Sequence, residues 1–472
     1  MLFNSLTFLV FFAIVFALHA VVRGWGSKKA ILLIGSYVFY AAWNPPYVAI
    51  LLFSTTLDWW LARRIWQSDD ERRRRLLLIV SLVANLSLLG FFKYGGFLLE
   101  NFRELLAAAG VVYAPPAWNI VLPVGISFYT FASLSYTIDV YRREIEGDCG
   151  FLDYALFVSF FPHLVAGPIV RARLLLPQIK TPRHATPDQI GWGLVLVVLG
   201  LFCKVVLADN LFAPVVDAVY GRPGMYGALD TWAAVLGFSG QIYYDFSGYS
   251  LCAIGLALCF GFSFPDNFRH PYAARGFSDF WRRWHITLSS WLRDYLYIPL
   301  GGNRGGEWRT YRNLMLTMLL GGLWHGASWM FVLWGGLHGA YLAGERWLRG
   351  RSDHALGDAV PRPEIALTLL TFLVVTLTWI PFRAADPATA HAIFAGLFAS
   401  SAQLAIPTGP LVACIVTMAL TVAWHWRLRD SSLEAEFGRF GQGMQTAALA
   451  ACLIAMFLYS GGDERAFIYF QF

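Results

Sequence analysis

Apolar runs of membrane length recur along this chain, and few architectures can absorb them. Leu2–Val22, Leu76–Phe92, Ile190–Val219, Leu229–Phe264, Ile365–Phe382, Leu411–Trp426 and Met444–Tyr459 carry very few charges. A helix that crosses a bilayer needs ~20 mostly apolar residues. Of 472 residues, 57% are hydrophobic and 14% charged, too few charges to cover a soluble surface of this size. The expected fold is an all-α polytopic membrane protein, a helical bundle with roughly 11–13 membrane-embedded segments, some re-entrant or broken. With no low-complexity tail or clear repeat, residues 1–472 read as a single transmembrane domain.

Breaks and basic loops organise the runs. Asn44-Pro45-Pro46 divides Ile31–Trp43 from Val48–Leu61, because two prolines forbid a continuous helix. Arg63, Arg64 and Arg72 to Arg75 outweigh Asp69, Asp70 and Glu71, which predicts a cytoplasmic loop. Phe97–Val112 carries Glu100, Arg103 and Glu104 and is expected to lie along the surface. Phe151–Val170 has basic loops on both sides, so a re-entrant segment broken near Gly167-Pro168 is expected. The formal net charge of +6 lies in loops and suits anionic lipid or a phosphorylated donor, not nucleic acid. The six cysteines have no Cys-x-x-Cys pair and no His/Cys grouping at metal spacing, so no metal site is expected.

The polar and titratable side chains crowd into Gly276–Gly339. Phe280-Trp281-Arg282-Arg283-Trp284-His285 opens the stretch, and Leu323-Trp324-His325-Gly326 sits in an apolar run near its end. A histidine in such a run is costly when charged or unpaired, which makes it a functional candidate by default. The alternative for His325 is a core histidine satisfied by one hydrogen bond; the alternative for His285 is an amphipathic helix that only anchors the chain at the interface. Asp245, beside Tyr243 and Tyr244, is either a hydrogen-bond node or a cavity-lining group. Arginines 269, 275, 282, 283, 293, 304, 309 and 312 give the strongest cytoplasmic signal in the chain. Arg282, Arg293 and Arg304 are candidates for donor phosphates, since guanidinium pairs well with phosphate oxygens. Gly301–Gly306 reads as a turn, because the Gly-Lys-Ser/Thr ending of a P-loop is missing.

These segments resemble the membrane-bound O-acyltransferase superfamily, in particular its bacterial alginate O-acetyltransferase-like branch. The resemblance extends through Leu122–Tyr129, Phe161–Pro168, Tyr244–Tyr249 and the terminal Phe467–Phe472. It departs after Ser250, where the branch commonly continues with Asp and this chain has Leu251.

The resemblance implies a bundle of that family's type with its catalytic region at about 276–339, and names His325 as catalytic histidine with His285 as second active-site residue. Trp284, Trp324, Asp245, Tyr244, Arg282, Arg293 and Arg304 are the expected donor or tunnel residues. Imidazole takes a proton from a hydroxyl near neutral pH, and the resulting alcohol oxygen attacks an acyl thioester. No bound cofactor is expected; acetyl-CoA is the expected donor on the cytoplasmic side of a bacterial inner membrane. Expected partners are an extracellular polysaccharide acceptor and a periplasmic or membrane-tethered acetyltransferase of the SGNH type. D-alanyl transfer, peptidoglycan O-acetylation and transport without chemistry remain alternatives; a transporter would favour inverted repeats, of which the sequence gives no sign.

Overall fold

A computed structural model describes residues 1–116, 118–355, 364–459, 465, 467 and 468. Helix dominates: the one β contact among the described residues is an isolated bridge between Tyr226 and Leu404. Among the described residues, six helices are long and apolar enough to cross a membrane: Glu71–Ala108, Pro187–Gly221, Ala228–Cys259, Glu364–Arg383, Thr408–Arg427 and Gln442–Tyr459. The chain is a multi-pass membrane protein. Gln442–Tyr459 has no buried residue, as expected of a helix whose apolar surface is solvated by lipid.

The chain packs as two compact units. Residues Met1–Val197 and Leu251–Pro265 form the first. It contains α1 (Leu6–Val21), α2 (Trp25–Ala41), α3 (Tyr47–Gln67), α4 (Glu71–Ala108), α5 (Ile126–Tyr141), α6 (Phe151–Ser159), α7 (Phe161–Leu164) and α8 (Ala172–Lys180). The proline pair does separate α2 from α3. A π-helical turn at Gly90–Tyr94 joins Gly95–Ala108 to α4 without a break, so the expected surface segment Phe97–Val112 begins inside one long helix that ends at Ala108. Gly95 packs so closely on Trp118 that a Cβ there would lie 2.2 Å from the indole.

The Phe151–Val170 segment is broken, as its flanking charges require. At 9 residues α6 is too short to span. The chain leaves helical geometry at Phe160, and the buried Ser36 hydroxyl accepts the Phe161 N–H at 3.0 Å. Irregular backbone in such surroundings persists only when protein supplies the missing partner.

Val198–Ser250 and Asp266–Phe472 form the second unit. It holds the later part of α9 (Pro187–Gly221), most of α10 (Ala228–Cys259), α11 (Phe277–Arg283), α12 (Ile286–Leu292), α13 (Glu307–His325) and α14 (Trp329–Ala355). α15 (Glu364–Arg383), α16 (Pro387–Gly396), α17 (Thr408–Arg427), α18 (Leu433–Gly438) and α19 (Gln442–Tyr459) complete it. α13 and α14 form a hairpin, turning at Gly326–Ser328. Their backbones touch at glycine: a Cβ on Gly322 would lie 2.3 Å from the Phe331 carbonyl oxygen, and one on Gly335 would lie 2.3 Å from that of Met318. Only small residues permit such an approach, and it fixes the end of α13 where His325 stands.

Candidate active site

His285 occupies the break between α11 and α12. Trp284 is extended and His285 is left-handed, with φ +42°. A residue other than glycine adopts that conformation uncommonly, histidine more readily than most, and its surroundings hold it there. Asn267 provides the hold. Its backbone carbonyl accepts the Ile286 N–H at 2.9 Å, and its Oδ1 lies 3.1 Å from His285 Nδ1, 2.8 Å from the Thr287 hydroxyl and 3.4 Å from the Thr287 N–H. A backbone N–H only donates, so the shared atom is the amide oxygen, while Nδ2 donates to Ser250 at 3.0 Å. His285 therefore carries its proton on Nδ1, which leaves the lone pair on Nε2. The ring is fully buried, where a charge would have no water, so the neutral form is favoured. The ring thus faces the protein interior and not the surface.

His325 is the last residue of α13 and is 3% exposed. Aromatic rings surround it: Trp324 at 5.0 Å, Trp334 at 5.0 Å and Phe382 at 5.4 Å between ring centres, all edge-on. Gly326 is required because a Cβ would fall 2.1 Å from the Phe331 ring. The Trp324 indole also lies 5.9 Å from His285, so one ring touches both histidines. Trp284 backs this wall, stacked on Phe280 at 5.6 Å and 5.1 Å from Trp379. His338 is held in the same aromatic layer. The Thr378 hydroxyl donates to the Val375 carbonyl and accepts the His338 Nε2–H at 3.1 Å, a structural role for that ring.

Next to the histidines is a cavity of about 420 Å³ lined by charge. Lys204, on the π-helical part of α9, pairs with both Asp245 and Asp209. Asp217 pairs with Arg383 and Arg465, and Gln241, Tyr220 and Ile468 complete the lining. Asp245 is thus both a polar node and a cavity wall: it also accepts the Ile468 N–H at 2.9 Å. The cavity and the histidines share two helical turns. Phe246, beside Asp245, meets His285 at 4.5 Å; Phe382, beside Arg383, meets His325. Phe467 packs between Tyr249 and Phe246, while the rest of the terminal motif, 469–472, lies outside the described residues.

The other expected residues stand elsewhere. The Tyr244 hydroxyl is 2.7 Å from Thr421 on α17, and its ring stacks on Phe212. Arg282, Arg293 and Arg304 are exposed, and Arg293 bonds its neighbour Asp294 at 2.7 Å. The structural arginines are Arg283 and Arg429, at 2.9 and 2.7 Å from Asp279. Burial would raise the Asp279 carboxyl, but the Arg275 N–H and these two guanidinium groups outweigh it and hold the acid below its usual range. Sequence reasoning missed Asn267, whose flanks Asp266 and Phe268 give no spacing signal. It also missed the Asp217–Arg383 pair, which bridges residues 166 apart.

Residues 46–356 match the profile of the MBOAT, membrane-bound O-acyltransferase family. A probable alginate O-acetylase AlgI from Pseudomonas aeruginosa is 41% identical over 433 residues, covering 90% of this chain and 81% of the relative. A peptidoglycan O-acetyltransferase from Helicobacter pylori is 39% identical over 429 residues, covering 84% and 80%. A teichoic acid D-alanyltransferase from Streptococcus thermophilus is 27% identical over 312 residues, covering 61% and 75%.

Proposed function

This chain belongs to the membrane-bound O-acyltransferase family, and from that premise we propose that it moves an acetyl group from a cytoplasmic thioester, acetyl-CoA, towards hydroxyls of an extracytoplasmic polysaccharide. It is an O-acyltransferase. Acetyl is favoured over D-alanyl because the two O-acetylating relatives match more of the chain, and match it more closely, than the D-alanyltransferase does. The polymer is alginate or a related exopolysaccharide, with peptidoglycan as the second reading from the Helicobacter pylori relative.

In this reading His325 is the general base. Its imidazole takes the hydroxyl proton as the oxygen attacks the thioester carbonyl; the C–S bond breaks, and the proton returns to the leaving sulfur. The aromatic rings around His325 limit the entry of competing water. His285, with Nδ1–H on Asn267, presents Nε2 as an acceptor that orients the attacking hydroxyl. The observation that carries the reading is the contact of Trp324 with two buried histidines whose neighbours in the packing line a polar cavity. The exposed arginines 282, 293 and 304 are proposed contacts for the donor's phosphates, and the membrane is proposed to be a bacterial inner membrane.

An SGNH-type acetyltransferase is proposed to receive the acetyl group outside and place it on the polymer. The test is to incubate purified protein with radiolabelled acetyl-CoA and candidate polymers, with and without that partner. Label should reach the polymer only when both proteins are present. Full transfer by this chain alone would remove the relay, and no turnover of acetyl-CoA under any condition would remove the proposed donor.

A further inference from the structure

Apart from the histidine site, the first unit gathers Lys28, His19 and His184, with no acid paired to any of them among the described residues. Lys28, in the first turn of α2, is 4% exposed, and its ammonium has one hydrogen-bond partner among the described residues, His184 Nδ1 at 3.4 Å. Its neighbour shows the contrast: Lys29 is paired with Asp153, so that carboxylate is already committed. His19, at the C-terminal turn of α1, is 6% exposed, lies within electrostatic reach of Lys28 and His184, and has no partner for Nε2.

Two features extend the cluster. α2 begins at Gly24 with no side-chain cap, so the N–H groups of its first turn turn a positive end towards the same region. Trp25 fixes that end through its indole N–H, which donates to the Ile179 carbonyl at 2.8 Å. Arg183 holds the next loop by donating from Nε to the Gln178 carbonyl at 3.1 Å, and His184 beside it is exposed, which leaves an approach from outside. A buried ammonium facing only imidazoles calls for an anion.

We propose that Lys28, His184, His19 and the start of α2 form a binding site for a phosphate ester. A phosphate oxygen accepts from Lys28 Nζ and from the α2 N–H groups, and the imidazoles of His19 and His184 each contribute one ring N–H. The chemistry fits two sources, the headgroup of a membrane phospholipid and a phosphate of a phosphorylated thioester donor. The site stands apart from the catalytic reading, because what it predicts is binding.

The experiment is native mass spectrometry of the full chain in detergent, titrated with phosphatidylglycerol and, in parallel, with coenzyme A. Wild-type protein should bind at least one probe, and any coenzyme A held at the donor site should be unchanged in the variants below. Lys28→Gln should weaken binding at the proposed site about tenfold or more, His184→Gln should weaken it several-fold, and Lys28→Arg should restore it. Loss confined to phosphatidylglycerol makes the occupant a lipid; loss confined to coenzyme A makes it the donor. His184 is exposed, so its variant decides the matter if Lys28→Gln does not fold. Wild-type affinity of His184→Gln for both probes would overturn the proposal, as would a wild-type protein that binds neither.

Discussion

His285 and Asn267 act as one unit: the amide oxygen of Asn267 lies 3.1 Å from His285 Nδ1, and its carbonyl accepts the N–H of the following residue. This pair holds a left-handed histidine at the break between two short helices and fixes which ring nitrogen carries the proton. Asn267→Ala should therefore lower acetyl transfer by about tenfold or more, since a lost orienting hydrogen bond of 1.4 kcal/mol is a factor of ten in rate. Because the effect is on orientation, kcat should fall while KM for the donor stays near wild type. Steady-state kinetics separate the two, and a change confined to KM would reassign Asn267 to binding.

The glycine contact in the α13–α14 hairpin predicts a stability effect. Gly322→Ala puts a methyl 2.3 Å from the Phe331 carbonyl, and backbone cannot give way cheaply. A loss of about 1–3 kcal/mol is expected, the usual scale of overpacking. Gly344→Ala on α14 meets nothing within 4 Å and should be neutral or stabilising. Thermal unfolding of the two variants in one detergent checks the contrast.

How far the sequence discloses these features depends on the range of the interaction. Apolar runs, the proline break after Asn44 and the glycines around His325 are local signals, and the helices follow them closely. The contact of Trp324 with both His285 and His325 follows from the short helices α11 and α12, and the sequence shows only that both histidines sit among large rings. Asn267 and Asp217 carry no local signature, because their partners are brought to them by tertiary packing. The continuity of α4 through Gly90–Tyr94 is hidden for a related reason: a π turn needs no proline or loop, so the residues give no local sign that Gly95–Ala108 belongs to the preceding helix.

The Lys204–Asp245 pair beside the cavity should be costly to break singly. Asp245→Ala removes one of the two carboxylates paired with the buried Lys204 ammonium, together with the acceptor of the Ile468 N–H; about 3–5 kcal/mol is the usual loss for a broken buried pair. Replacing both residues, as in Lys204→Met with Asp245→Leu, should recover part of that loss. Thermal midpoints of the single and double variants measure the coupling, and additive losses would show that the two side chains act independently.

Arg304 lies in an exposed turn within the stretch 269–312, whose eight arginines predict a cytoplasmic position. A single cysteine at Arg304, in a background cleared of the native six, should resist an impermeant thiol reagent in intact cells and react after permeabilisation. Labelling from outside would reverse the proposed side of the donor.

The central claim is that His325 is the base. His325→Ala, purified beside wild type and matched for yield and thermal midpoint, should lose acetyl transfer from labelled acetyl-CoA by a factor of about 10² or more, the contribution of a positioned general base. Retention of most of the wild-type rate by this folded variant would contradict the account.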